Sequence, residues 1–411
     1  MQKINSLNKL LFFFLSISLL VGLFFGMDPS GSGGFISDFN KTWPIVVNPF
    51  DIFTAVTLDM KFLLHYYIMF AINSVTQDQY LSRIFFCLVS ISIPLIFYFC
   101  LKLKFSNVNE NNLFLFSLTI FLLPSFRSGA IWANTQITAL IFFLLSLLFF
   151  IKWEKQKEIT LSKNLILSLI FMSCAVYSRQ LYALIFLYYV YFFLITVSKR
   201  QFIKICSIIF ILALPGIFFV IDHPHLLTTS VNSKLYNSLL INTSILSFYL
   251  IPFYLALVIC KKIKLEKINK QTYFFGISSF VITLILASLF DYNYKLGGGY
   301  FLKLSVITFG NFYFFYLTSL IGIFFLTILS IKNSKNFIMI ILIILGFTSF
   351  QIFQKYFEPM FLIMLFLLFE IKIIKIFLDN KKAIICYQVY MLVYLVSAVI
   401  NDVMQITKNL I

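Results

Sequence analysis

Long apolar runs and short polar breaks alternate from one end of the chain to the other. The runs are apolar all round. They lack the every-second-residue alternation of a barrel strand, so they predict helices. Most approach or exceed about 18 residues, the length an α-helix needs to cross ~30 Å of hydrocarbon. About thirteen spans are predicted, with cores near 8–26, 81–101, 112–125, 131–151, 164–178, 181–197, 203–221, 243–260, 273–290, 312–331, 337–353, 359–378 and 383–400. The runs beginning at 112, 164 and 181 are short or poorly separated, which widens the expectation to about 11–13 transmembrane helices. The expected fold is an all-α polytopic membrane protein forming a single integral-membrane domain, 1–411. Within it, 27–79 is a first outer loop with an interfacial helix, 80–260 a transmembrane module, and 261–411 a set of C-terminal transmembrane helices.

Composition agrees. Hydrophobic residues make up 61% and charged residues 11% of the chain, too few charges to coat a soluble domain of 411 residues. The first apolar stretch, Leu10–Phe25, follows Lys3 and Lys9 and is not followed by a small-x-small cleavage site, so it reads as a retained span. Six cysteines form no CxxC pair, so neither a zinc site nor a disulfide framework is indicated.

The formal charge of +17 reflects lysines that flank spans and orient them, not a nucleic-acid surface. With the N-terminus in the cytoplasm, most Lys and Arg fall in inner loops, including Lys102, Lys104, Lys152, Lys155, Lys163 and the cluster from Lys261 to Lys270. His65, His223, His225 and most acids fall on the outer side. Inner loops are short anchors, while outer loops are longer and chemically mixed. Any chemistry is expected on the outer face of a membrane, read as a bacterial inner membrane.

The longest break, Met27–Gln79, opens with a Gly/Ser turn that lacks the phosphate-loop pattern. It carries Asp38, Asp51 and Asp59, then a short apolar segment at 61–72 that holds His65 and is expected to lie along the interface. Arginine is rare, and Arg83, Arg127 and Arg179 all fall at outer membrane edges. A guanidinium offers a planar fork that matches phosphate oxygens two at a time, so these three are candidates for a lipid-linked phosphate. The competing reading is that they snorkel and anchor helices. Gln180 adjoins Arg179 in YSRQLYAL. Asp222–His225 (DHPH) has chelating spacing but no second cluster to complete a metal site. Lys295 flanks the run Gly297–Gly299, and Lys355 stands with Glu358 in QKYFEP; both lysines are further substrate-binding candidates.

One inner-to-outer span, a long outer loop with an early Asp, an interfacial helix and many spans with short inner loops together resemble the GT-C superfamily of integral-membrane glycosyltransferases. The stretch Phe62–Lys102 resembles the protein-O-mannosyltransferase-like segment that runs from PPLYY through an acidic residue to R-x-x-S. Leu64–Tyr67 stands in the proline-aromatic place, Asp78 in the acidic place, and Arg83 is the arginine. SRQLYAL and QKYFEP are similar to the RQ and RYF-x-x-P segments of the eukaryotic α-1,2-glucosyltransferase that completes the dolichol-linked oligosaccharide.

The resemblance implies a polyprenyl-phosphate sugar as donor and a lipid, glycan or protein as acceptor. It implies inverting transfer with a first-loop carboxylate, at the position of Asp38, as general base. Many members carry an adjacent acidic pair there, whereas Asp38 stands between Ser37 and Phe39, so Asp51 and Asp59 remain competitors. No metal is indicated and no cofactor beyond the donor is implied. A lipid-linked-oligosaccharide flippase is the alternative from another class; a polysaccharide polymerase or ligase is the third reading.

Overall fold

The computed structural model describes residues 4–31, 39–51, 62–156, 161–223, 234–260, 270–331, 333–346 and 351–410. Asp38, Asp59 and His225 lie outside the described residues. In chain order the helices are α1 (Ser6–Phe24), α2 (Trp43–Val47), α3 (Leu64–Thr76), α4 (Gln79–Lys104), α5 (Glu110–Leu122), α6 (Pro124–Ile131), α7 (Thr135–Glu154), α8 (Lys163–Ser178), α9 (Gln180–Thr196), α10 (Lys199–Asp222), α11 (Leu235–Ile259), α12 (Lys270–Leu289), α13 (Gly299–Phe309), α14 (Tyr313–Ile331), α15 (Ser334–Gly346), α16 (Met360–Leu367), α17 (Lys372–Asp379) and α18 (Lys381–Leu410). There is no strand among the described residues.

The chain is a polytopic α-helical membrane protein. Among the described residues, seven helices are long and apolar enough to cross a membrane: α1, α4, α7, α10, α11, α14 and α18. An eighth arises if α5 and α6, bent by 68° at their junction, count as one broken span. The apolar runs predicted from sequence mostly coincide with helices, but α8, α9 and α15 are shorter than a full span. The run 359–378 departs most: it is two eight-residue helices, α16 and α17. The cause is Glu370 in its middle. The Glu370 carboxylate pairs with Lys335 at 2.7 Å, and its backbone N–H donates to Asn336 Oδ1 at 3.0 Å. A carboxylate so engaged turns the chain instead of entering hydrocarbon. In the run Gly297–Gly299, Gly298 is the N-cap of α13 and Gly299 its first residue.

The chain divides into two compact units. The first comprises Met1–Phe186, Phe193–Leu226 and Gln388–Ile411; the second comprises Leu187–Phe192 and Leu227–Tyr387. In the first unit the two ends differ in chemistry. At one end the start of α1 meets the start of α5, where Asn5 N–H and Asn8 Nδ2 donate to Asn111 at 2.7 and 3.0 Å. Lys102 pairs there with Glu110 at 2.9 Å, and Lys155 donates to the Leu103 carbonyl. At the other end, Asp28 N–H donates to Asp402 Oδ2 at 2.8 Å, and Ser30 N–H to Ser128 Oγ at 2.9 Å. Between the ends, Ser146 and Ser168 exchange hydroxyl-to-carbonyl hydrogen bonds at 2.8 and 3.0 Å, joining α7 to α8. Small hydroxyl residues let helices approach closely in lipid, where each such bond contributes about 0.6 kcal/mol.

The second unit is built on α11 against α14. Ser319 Oγ donates to the Leu240 carbonyl at 3.0 Å, and Ser244 bonds Thr318 at 2.8 Å. At Gly322 a Cβ would stand 2.1 Å from the Thr243 carbonyl oxygen, so only glycine permits this approach. Glu358 is fully buried, and its Oε1 accepts from the Tyr249 hydroxyl at 2.7 Å.

Candidate functional site

The first unit gathers three of the sequence candidates on one short turn, Ile131–Thr138. Helix α6 ends there because Ala133 takes a left-handed backbone conformation, φ 45°. That conformation costs an L-residue about 1–2 kcal/mol. Asn134 then caps α7, its side chain accepting from Gln136 N–H at 2.9 Å. The turn presents the Ile131 carbonyl, the Trp132 ring, the Gln136 amide and the Thr138 hydroxyl.

Arg83 enters from the first turn of α4. Its Nε donates to the Ile131 carbonyl at 3.1 Å, and its guanidinium lies 3.9 Å from the Trp132 ring centroid. Phe39 and Tyr80 stand 5.2 and 5.9 Å away, completing an aromatic surround. Trp132 is itself held by Nε1 donating to the Met27 carbonyl at 3.1 Å. Arg83 is buried, and its Nη2 has no hydrogen-bond partner among the described residues. An unsatisfied buried donor costs about 1–3 kcal/mol, more when charged.

Arg179, an extended residue between α8 and α9, donates from Nη1 to Gln136 Oε1 at 3.1 Å. Gln180 follows it as the first residue of α9, half-buried. His65, on α3, is buried, and its Nδ1 lies 2.7 Å from Thr138 Oγ1. Its ring meets Tyr66 and Phe86 edge-on. Thr138 also lines a cavity of about 440 Å³ between α3, α4 and α7, walled by Ile68, Ile72, Phe85, Phe86 and Phe142. The same turn therefore joins a buried cation, a polar pair and an apolar cavity.

The other candidates behave differently. Arg127 turns toward α1, donating to the Ser18 carbonyl at 2.6 Å, Ser18 Oγ at 3.1 Å and the Phe121 carbonyl at 3.5 Å. It satisfies the backbone where α5 breaks before Pro124. Asp78, matched to an acidic family position, is the N-cap of α4, accepting from Leu81 N–H at 2.7 Å. Asp51 is exposed after α2. Lys295 and Lys355 belong to the second unit; Lys295 is exposed and Lys355 lies 5.7 Å from the Phe353 ring. His223 caps α10, with Nδ1 3.0 Å from the Phe219 carbonyl. No group of three potential metal ligands occurs among the described residues.

Sequence reasoning passed over Trp132, Gln136 and Thr138. Their signal was weak: IWANTQIT reads as the start of a span, and only Asn134 before a helix hints at a turn.

No protein-family model, no curated protein and no solved structure matches the chain. The geometry and the sequence therefore carry the functional reading between them.

Proposed function

We propose that the chain is a GT-C-type glycosyltransferase that moves a sugar from a polyprenyl-phosphate donor to a lipid, glycan or protein acceptor at the outer face of a bacterial inner membrane. The carrying observation is Arg83. It is a buried guanidinium with an open Nη2, next to Phe39, the residue that follows Asp38 in the chain. A donor phosphate supplies the acceptor oxygen that Nη2 lacks, and Arg179 adds a second cation on the same turn. The apolar cavity beside Thr138 suits the donor's isoprenoid chain.

In this reading Asp38 takes the proton of an acceptor hydroxyl as that oxygen attacks the anomeric carbon. The bond from that carbon to the phosphate oxygen breaks, and polyprenyl phosphate leaves with the electron pair and with inversion. An alcohol is a weak nucleophile near neutral pH, so a positioned base contributes about 10²–10⁴-fold. The leaving phosphate gains charge, which Arg83 and Arg179 stabilise in a site of low dielectric. Two observations support the sidedness. Lys102 and Lys155 mark one end of the first unit, and Asp28 and Asp402 mark the other. Lysines favour the cytoplasmic side, which supports reading the site as outer.

A flippase moves a hydrophilic head through the membrane, which calls for a polar path; the walls of this cavity are apolar except for Thr76 and Thr138. The test is to supply membranes containing the protein with a panel of radiolabelled polyprenyl-phosphate sugars. Consumption of one donor, lost in the Asp38→Asn variant at equal protein level, supports the reading. Absence of consumption of every donor in the panel overturns it.

A further inference from the structure

Helix α10 takes up a side chain from α8 beside its interior proline. Pro215 sits inside the helix and has no N–H to give to the carbonyl four residues back. One residue later, Gly216 N–H donates to the Tyr177 hydroxyl at 3.2 Å, and that hydroxyl donates on to the Leu212 carbonyl at 2.5 Å. Tyr177 thus bridges two backbone groups of α10. A side chain inserted in this way is a recognised cause of a helix kink, and in lipid it satisfies backbone groups that a proline has opened.

The surroundings leave room only for this arrangement. A Cβ at Gly216 would stand 3.1 Å from Tyr177 Cε1 and 3.5 Å from Phe62 Cζ. Beyond the break, the helix is held by a chain of rings. Phe62 meets Tyr177 edge-on at 5.5 Å and Phe219 at 5.3 Å, and Phe219 lies 4.9 Å from His223. The opposite face is open, with Phe218 and Ile221 exposed. Only 6% of the apolar window of α10 is buried, the smallest share among the seven long helices, so little packing opposes motion of this half. Tyr177 is also two residues from Arg179.

We infer that Gly216–His223 is a gate beside the outer-end site, hinged at Pro215–Gly216 and latched by the Tyr177 hydroxyl. Closed, the hydroxyl bridges the break and Phe219 rests on Phe62. Open, both contacts part together, because Tyr177 and Phe62 touch each other as well as the moving half. The gate is a property of the fold and stands whether or not the protein transfers sugar.

Amide hydrogen exchange on the full chain in lipid nanodiscs, read by mass spectrometry, tests it without an activity readout. Exchange reports local opening directly. Tyr177→Phe keeps the ring and removes the bridge. Exchange over 212–223 is expected to rise about tenfold, the factor that corresponds to 1.4 kcal/mol, while 199–211 stays as in the wild type. Pro215→Ala restores an N–H and is expected to slow exchange over 212–223. It serves also as the independent arm if the tyrosine variant folds poorly. Unchanged exchange in both variants, or a uniform change along all of α10, overturns the hinge.

Discussion

The Arg83 guanidinium lies 3.9 Å from the centre of the Trp132 ring, and its Nη2 is buried without a hydrogen-bond partner among the described residues. The ring orients the cation but supplies no oxygen. Arg83→Met keeps much of the packing and removes a costly unsatisfied donor. We expect its unfolding temperature to equal or exceed that of the wild type while sugar transfer is lost, since an unpaired buried donor costs about 1–3 kcal/mol. Thermal unfolding in detergent and a transfer assay give the two readouts; retained transfer would remove Arg83 from the site.

Arg179 donates from Nη1 to Gln136 Oε1, and its guanidinium is a planar fork of N–H donors. Lysine at this position retains charge but offers no fork. Arg179→Lys is expected to raise the donor KM about tenfold with little change in kcat, the pattern of lost uniform binding. A matching fall in kcat with KM unchanged would contradict a binding role.

The base is tested by comparison. Asp38→Asn is expected to lower kcat by about 10²–10⁴-fold, while Asp51→Asn and Asp59→Asn keep most activity. Loss confined to either of the latter two would move the assignment to that residue.

Gly322→Ala places a methyl 2.1 Å from the Thr243 carbonyl oxygen, a contact that backbone cannot yield without shifting α14 from α11. Overpacking of this kind costs about 1–3 kcal/mol. A lower unfolding temperature is expected, and an unchanged one would show that the two helices separate freely.

Near the start of α11, the Lys234 ammonium and then the Asn237 amide hold the Asp291 carboxyl below its ordinary range, and Asp291 in turn raises Lys234. A carboxyl lowered on folding contributes stability above its unfolded value of about 3.9 and loses it as pH falls through the folded value. Lys234→Met is expected to move the Asp291 titration upward, as followed by carboxyl NMR; an unmoved titration would show that the exposed pair is screened out.

Much of the helical layout was legible in the sequence. Ser6–Phe24, Thr135–Glu154 and Leu235–Ile259 are helices close to where the apolar runs place them, because a backbone in lipid must satisfy its own polar groups and a helix does so within one segment. Run length was less reliable as a guide to spans. Glu370 splits 359–378, and the break before Pro124 bends 112–125. At Glu370 the partner, Lys335, lies on another helix, whereas Arg127 follows the Pro124 break directly in sequence.

The three outer-edge arginines mark the limit most sharply. By residue type and position they are equivalent, and sequence alone determined only that each is a fork-shaped cation near a membrane edge. Tertiary structure decided their fates. Arg127 is taken up by Ser18 and Phe121, Arg179 meets Gln136, and Arg83 rests on Trp132 with one nitrogen open. The reason is physical: apolarity acts over a whole run and is visible along the chain, whereas a hydrogen bond depends on which distant atoms folding brings within about 3 Å.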